Sequence, residues 1–235
     1  MAKRSARKAK SRSHSTSAAP RGTTDRHKAI DALMALLAKR SFDEIGLAEI
    51  AGQAGLSLSQ LRAEFGSTLA ILAAHIKDID RQVLDGIDAD MMEEPPRERL
   101  FDVLMKRLEV LAPYKAAVRS LMRSASRRPS LALALNGMAL RSQHWMLTAA
   151  GIGTHGPRGA MRVQGAALLF GRVLAVWVHD EEPGLDRTMA TLDRGLASAE
   201  RWSGFVDDLF CIPAAMCRGF RHRRARDFDG SSAAA

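Results

Sequence analysis

The sequence predicts an all-α chain in which a three-helix domain precedes a larger helical domain. Apolar residues recur at i, i+3, i+4 and i+7 from residue 28 onward, the repeat of one helix face. No segment alternates apolar and polar residues as a half-buried strand would. Prolines at Pro95-Pro96, Pro113, Pro129, Pro157 and Pro183 fall at or near the starts of these repeats, where a missing N–H costs little.

The elements follow in order. Residues 1–25 are rich in Arg, Ser and Ala and contain no Leu, Ile, Val or Phe, so no apolar helix face forms there. A disordered basic arm is expected. Ile30, Leu33, Met34 and Leu37 define a first helix, placed over 26–39, and Leu47, Ile50, Ala51 and Ala54 a second. Gly55 suits the left-handed position that ends a helix, and Ser57 caps the next one. A third helix is expected over about 58–65, with Leu58, Leu61 and Phe65 inward. Gly66-Ser67 opens a fourth, with Leu69, Leu72, Ala73, Ile76 and Val83 on one side. Later helices are expected near 97–111, 113–126, 130–149, 158–179, 185–201 and 203–217, with Pro213 breaking the last. The domain boundaries read as a helix-turn-helix over 26–75, a helical regulatory and dimerisation domain over 76–217, and a basic disordered tail over 218–235.

The net charge of +9 sits in the ends. Residues 1–28 hold nine Lys/Arg against one acid, and 218–235 hold five Arg against two Asp, so the 189 residues between are net −2. A basic arm of this kind neutralises DNA phosphates through counterion release. Cys211 and Cys217 match neither a CxxC motif nor a disulfide framework, which points to a reducing, cytoplasmic location. No run of about 18 apolar residues suggests a membrane span.

Two short helices joined by a three-residue turn form a helix-turn-helix. The second lies in the DNA major groove with its N-terminal side chains at base edges. Those side chains are Ser57, Ser59, Gln60 and Arg62. Gln bonds adenine bidentately and Arg bonds guanine. The stretch Ile50-Ala51-Gly52-Gln53-Ala54-Gly55-Leu56-Ser57, followed by Leu61, Phe65-Gly66-Ser67 and Leu72, resembles the signature of TetR-family transcription regulators over about residues 26–75. The resemblance implies a DNA-reading head fused to a helical domain that dimerises and binds a small apolar ligand. It implies phosphate contacts from Ser67 and Thr68, double-stranded DNA as partner, and a homodimer through 158–201. The family's usual Tyr and Lys are Arg62 and Thr68 here, Gly46 replaces the usual Thr cap, and residues 29–72 carry three cations against five acids. The reading head is therefore net negative, and the arm is expected to supply the missing cations. Met138, Trp145, Met146, Phe170 and Trp177, apolar residues on long helices, are the expected lining of the ligand pocket.

The later half also resembles the Coq-nine family of lipid-binding accessory proteins in ubiquinone biosynthesis, through Arg97–Met105, Pro113-Tyr114-Lys115 and Val176–Asp180 to Leu192-Asp193-Arg194. That alternative implies lost DNA reading and a membrane-surface helix. Trp202, Phe205, Val206, Leu209, Phe210 and Ile212 would supply its apolar stripe, with the Arg cluster from Arg218 behind it.

No catalytic constellation emerges, so no enzyme activity or cofactor is expected. The seven histidines show neither i, i+4 pairing nor Cys partners at ligand spacing, and no metal is expected. Gly151-Ile-Gly153-Thr-His-Gly156 matches a dinucleotide fingerprint only in letters. It follows a helix rather than a strand and reads as an inter-helix loop. His179-Asp180-Glu181-Glu182 reads as a solvated turn.

Overall fold

The computed structural model describes residues 24–87, 89–199 and 201. Among them every regular element is helical. The expected arm over 1–23, the helix over 203–217 with both cysteines, and the tail over 218–235 lie outside the described residues. Four helices form the head and its stalk: α1 (Asp25–Leu37), α2 (Leu47–Ala54), α3 (Leu58–Glu64) and α4 (Thr68–Asp85). The body adds α5 (Pro96–Leu111), α6 (Lys115–Arg127), α7 (Pro129–Ala149), α8 (Gly156–Trp177) and α9 over 186–199. The proline rule holds locally: Pro96, Pro129 and Pro157 each occupy a first-turn position of their helix. The start expected at 113 becomes a 3-10 turn over Ala112–Tyr114, which carries α5 almost directly into α6.

Two apolar cores form. In the head, Ile30, Leu33 and Leu37 of α1 pack with Ile50, Leu61, Phe65 and Leu72. Ala117 of α6 and Met138 of α7 belong to the same cluster, so head and body share packing rather than meeting at a linker near residue 75. In the body, Val83, Leu104, Leu108, Met146, Phe170, Trp177 and Leu192 bring α4, α5, α7, α8 and α9 together.

Polar bonds reinforce the junction between head and body. Ser120 Oγ of α6 donates to the Arg40 carbonyl at 2.7 Å, and Ser124 Oγ accepts from the Phe42 N–H at 3.1 Å. Arg128 reaches Asp43 at 2.9 Å. Inside the body, Asp80 of α4 accepts from Arg107 of α5 at 2.8 Å and from Ser142 of α7 at 2.6 Å. Burial draws the Arg107 guanidinium below its ordinary pKa, while Asp80 opposes that shift.

The glycine-rich run lies between α7 and α8. Gly151 and Gly156 adopt left-handed φ of 70° and 68°, so these glycines serve chain reversal. The segment after α8 differs from the solvated turn expected of it. Asp180 is buried, and its carboxylate accepts from both the Thr188 N–H (3.0 Å) and the Thr188 hydroxyl (2.7 Å) at the start of α9. Those bonds hold its pKa below the usual carboxylate value. Lys115 donates to the Asp180 carbonyl and Arg119 to the Val178 carbonyl, so α6 satisfies oxygens that the end of α8 leaves open.

By length and composition alone, α8 would suffice to cross a membrane. One face of it, through Val163, Ala167, Phe170 and Val173, is buried in the body. Met161 and Leu168 on other faces are 52% and 64% exposed. The high apolar content thus comes from two apolar faces, one of which is left uncovered by the described residues.

Candidate nucleic-acid interface

The reading head is built around a left-handed glycine. Gly55 has φ 66°, and its N–H and that of Leu56 close the end of α2 onto the carbonyls of Gly52 and Ala51. The chain then turns through Ser57 into α3. Ser57 Oγ accepts from the Gln60 N–H at 3.2 Å, and Gln60 Oε1 accepts from the Ser57 N–H at 2.9 Å, a reciprocal capping box. Buried Leu61 and Phe65 anchor α3 and its exit on the head core. Ser57, Ser59, Gln60 and Arg62 are all exposed on the opposite side, as the sequence places them.

Three of these side chains are already engaged. Gln60 uses its oxygen in the cap, and its Nε2 donates to Asp25 Oδ2 at 3.1 Å. Ser57 and Ser59 share a hydroxyl–hydroxyl bond of 2.9 Å. Arg62 makes no ion pair among the described residues, and its Nη1 lies over Gly66. Leu58 was expected to face inward but is 57% exposed. With only seven residues, α3 buries the row through Leu61 and leaves its first turn outside. Leu58 therefore adds an apolar side chain to the exposed row, of the kind that contacts a thymine methyl group.

Ser67 and Thr68 sit at the start of α4. Ser67 caps that helix by accepting from the Ala70 N–H at 3.1 Å, and half-buried Thr68 is its first residue. A helix start of this kind presents N–H groups to an anion.

The charges follow a definite plan. Arg26 bonds both oxygens of Asp78 at 3.1 Å and lies over the Phe65 ring, tying α1 to α4. Lys28 pairs with Asp25 at 3.1 Å, and Arg40 pairs with Glu44 and Glu49. Arg26 and Lys28, counted with the arm on charge grounds, thus serve the fold. The other seven Lys/Arg of the arm all lie within 1–21. Their point of attachment is defined: Thr24 caps α1, and the Asp25–Gln60 bond fixes that start beside the first turn of α3.

The five residues expected to line a ligand pocket separate. Met146, Phe170 and Trp177 are buried in the body core, Met138 belongs to the head core, and Trp145 is 56% exposed. A cavity of about 670 Å³ opens elsewhere in the body, between the starts of α5 and α8 and the ends of α7 and α9. None of the five lines it.

No family model and no curated protein matches the chain. Solved structures do. A TetR transcriptional regulator from Nitrosomonas europaea superimposes with a TM-score of 0.59 at 22% identity, covering 74% of this chain and 97% of that one. A TetR transcriptional regulator from Rhodococcus sp. RHA1 gives 0.54 at 22% identity, over 74% and 94% of the two chains. A TetR-family regulator from Streptomyces coelicolor gives 0.51 at 18% identity, over 78% and 83%. The superpositions span most of the length of each of these regulators, and the chain has the TetR-regulator fold.

Proposed function

We propose that this protein is a dimeric, ligand-responsive DNA-binding transcription regulator. The observation that carries the reading is the exposed row on α3 placed directly beside the root of the basic arm. Base edges would be read by Ser57, Ser59, Gln60 and Arg62, with Leu58 adding an apolar contact. Ser67, Thr68 and the start of α4 would hold a phosphate. The seven cations of 1–21 would neutralise neighbouring phosphates that a net-negative head cannot.

The α8–α9 surface supports the dimer. Met161, Leu168 and Met189 leave apolar area exposed on these two helices, and a second copy would cover it. Helices α4 and α6 supply the linkage, because both pack on head and body. A ligand that shifted the body would change the spacing of two heads, favouring or disfavouring the DNA-competent arrangement.

Selection of bound sequences from a random DNA pool tests this reading. One or more enriched motifs are expected. Arg62→Ala should lose about 1–3 kcal/mol of discrimination at one base position, and Gln60→Ala should relax another. A pool that shows no enrichment even at low ionic strength would end the DNA-reading proposal.

A further inference from the structure

The open space in the body lies where the continuous described chain ends. The cavity of about 670 Å³ is walled by Leu100 and Leu104 of α5, Leu147 of α7, Ile152 of the loop, Leu169 of α8 and Leu196 of α9. Ser198 and Ala199, the last continuous described residues of α9, also stand on its lining. Helix α9 therefore delivers the chain to the cavity's edge. Along it, Leu196 and Ala199 are three positions apart, the spacing of one helix face, and Trp202 is the next residue at that interval. The wall on α8 is open at Gly165, where a β-carbon would meet nothing within 4 Å.

The sequence beyond that edge fits the space in length and in pattern. Gly204 and Pro213 bound residues 205–212. Glycine permits the chain to reverse, and proline stops a helix. At about 100° per residue, Phe205, Val206, Leu209, Phe210 and Ile212 fall on one side of this segment and Asp207 and Asp208 on the other. At the helical rise the segment spans about 12 Å, against about 16 Å for the cavity wall from Arg158 to Leu169. Only residues 200–204 separate it from Ala199. So short a tether gives it a local concentration on the order of millimolar at the cavity. An apolar wall and an apolar stripe this close along one chain would each expose contiguous apolar surface if they stayed apart.

We propose that residues 205–212 are the occupant of this cavity, with Phe205, Leu209 and the rest of the stripe against its α5, α7 and α8 walls and Asp207 and Asp208 toward solvent. Burial of apolar surface drives the docking. It needs no free arginine at the rim, where Arg97, Arg158 and Arg162 have partners of their own. The inference goes beyond the ligand-responsive reading, because a small apolar ligand entering this cavity must displace the chain's own segment.

Hydrogen–deuterium exchange of the full chain tests the proposal without DNA. Amides of 205–212 in the parent should exchange at least tenfold more slowly than in the variant Phe205→Asp with Leu209→Asp, whose changes touch neither described core. That variant should also bind the neutral dye N-phenyl-1-naphthylamine at least tenfold more tightly than the parent does, since its cavity is vacated. Gly165→Trp, which fills the cavity from its α8 wall, should release the segment to fast exchange with helix content unchanged. Fast exchange of 205–212 in the parent overturns the proposal. So does slow exchange that Gly165→Trp leaves in place, which would seat the segment elsewhere. Equal dye binding by parent and Asp variant overturns it as well. Protection that appears only with phosphatidylglycerol vesicles would assign the stripe to a bilayer, and protection lost on dilution would assign it to a second copy; either result overturns docking within the chain.

Discussion

Burial holds the His75 imidazole neutral. The ring lies within α4 against Tyr114, with centroids 4.5 Å apart at 77°, and Nε2 has no hydrogen-bond partner in the described structure. Desolvation lowers its pKa to about 4, against the opposing pull of the Asp78 charge. The folded state thus disfavours the proton relative to the unfolded chain, whose His titrates near 6.5. The associated stability is fully present above about pH 6.5 and is lost as pH falls toward about 4, to an extent on the order of 3 kcal/mol. Urea denaturation across pH 7.5 to 4.5 should show the loss, and His75→Phe, which keeps a ring against Tyr114, should flatten it. An identical slope in the variant would assign the acid sensitivity to carboxylates instead. Gln60 illustrates a different residue-scale lesson. Its side chain has the chemistry to read adenine, but Ser57-x-x-Gln60 is also the spacing of a capping box, a signal already in the sequence. In the unbound protein the cap and Asp25 occupy that amide, so reading a base requires exchanging those bonds.

At the scale of elements, a buried charge network joins four helices. Asp80 of α4, Arg107 of α5 and Ser142 of α7 bond to one another, and the Arg107 guanidinium lies 5.1 Å from the centre of the Phe170 ring of α8. Side-chain exposure at Arg107 and Asp80 is 6% and 11%, so removing either partner leaves a desolvated charge. Asp80→Ala should cost about 3–5 kcal/mol of folding stability. Asp80→Leu combined with Arg107→Met should cost much less than the single change, because no buried charge remains. Denaturation midpoints of the three proteins decide the matter; a double variant as unstable as the single one would mean that packing, rather than charge, is lost. Nothing in sequence spacing revealed this network, since its members are 27 and 35 residues apart along the chain. The helices themselves were legible, because their apolar repeats and prolines act within a turn or two. The interior of the body was less so. Trp145 and Met146 are adjacent and both apolar, and only the rotation of α7 against its neighbours buries the second and exposes the first.

At the scale of the molecule, the surfaces proposed for DNA binding and for assembly lie on different elements. If the seven cations of 1–21 each displace a counterion from duplex DNA, deleting residues 1–23 should flatten the dependence of log affinity on log salt by up to about 6. Fluorescence anisotropy on a selected site at several salt concentrations measures it, and an unchanged slope would exclude the arm from the complex. Under the proposed function, assembly would use α8 and α9. Leu168→Glu places a charge on an exposed apolar position without touching either core and should shift the protein to monomer in sedimentation. An unaltered mass would place the dimer contact elsewhere.

Local chemistry is what the sequence determined alone: helix repeats, the left-handed Gly55, the Ser57 cap, the prolines at helix starts and the basicity of the chain ends. These depend on interactions within a turn or so of the backbone, and such interactions can be read from neighbouring letters. Tertiary structure decided which apolar residues meet, which cations are spent on folding, and where open space remains. Arg26 closes on Asp78, the predicted pocket residues separate into two cores and a surface, and a cavity forms where the ends of four helices meet. Each of these follows from how helices rotate and cross against one another, which long-range packing fixes and sequence spacing does not.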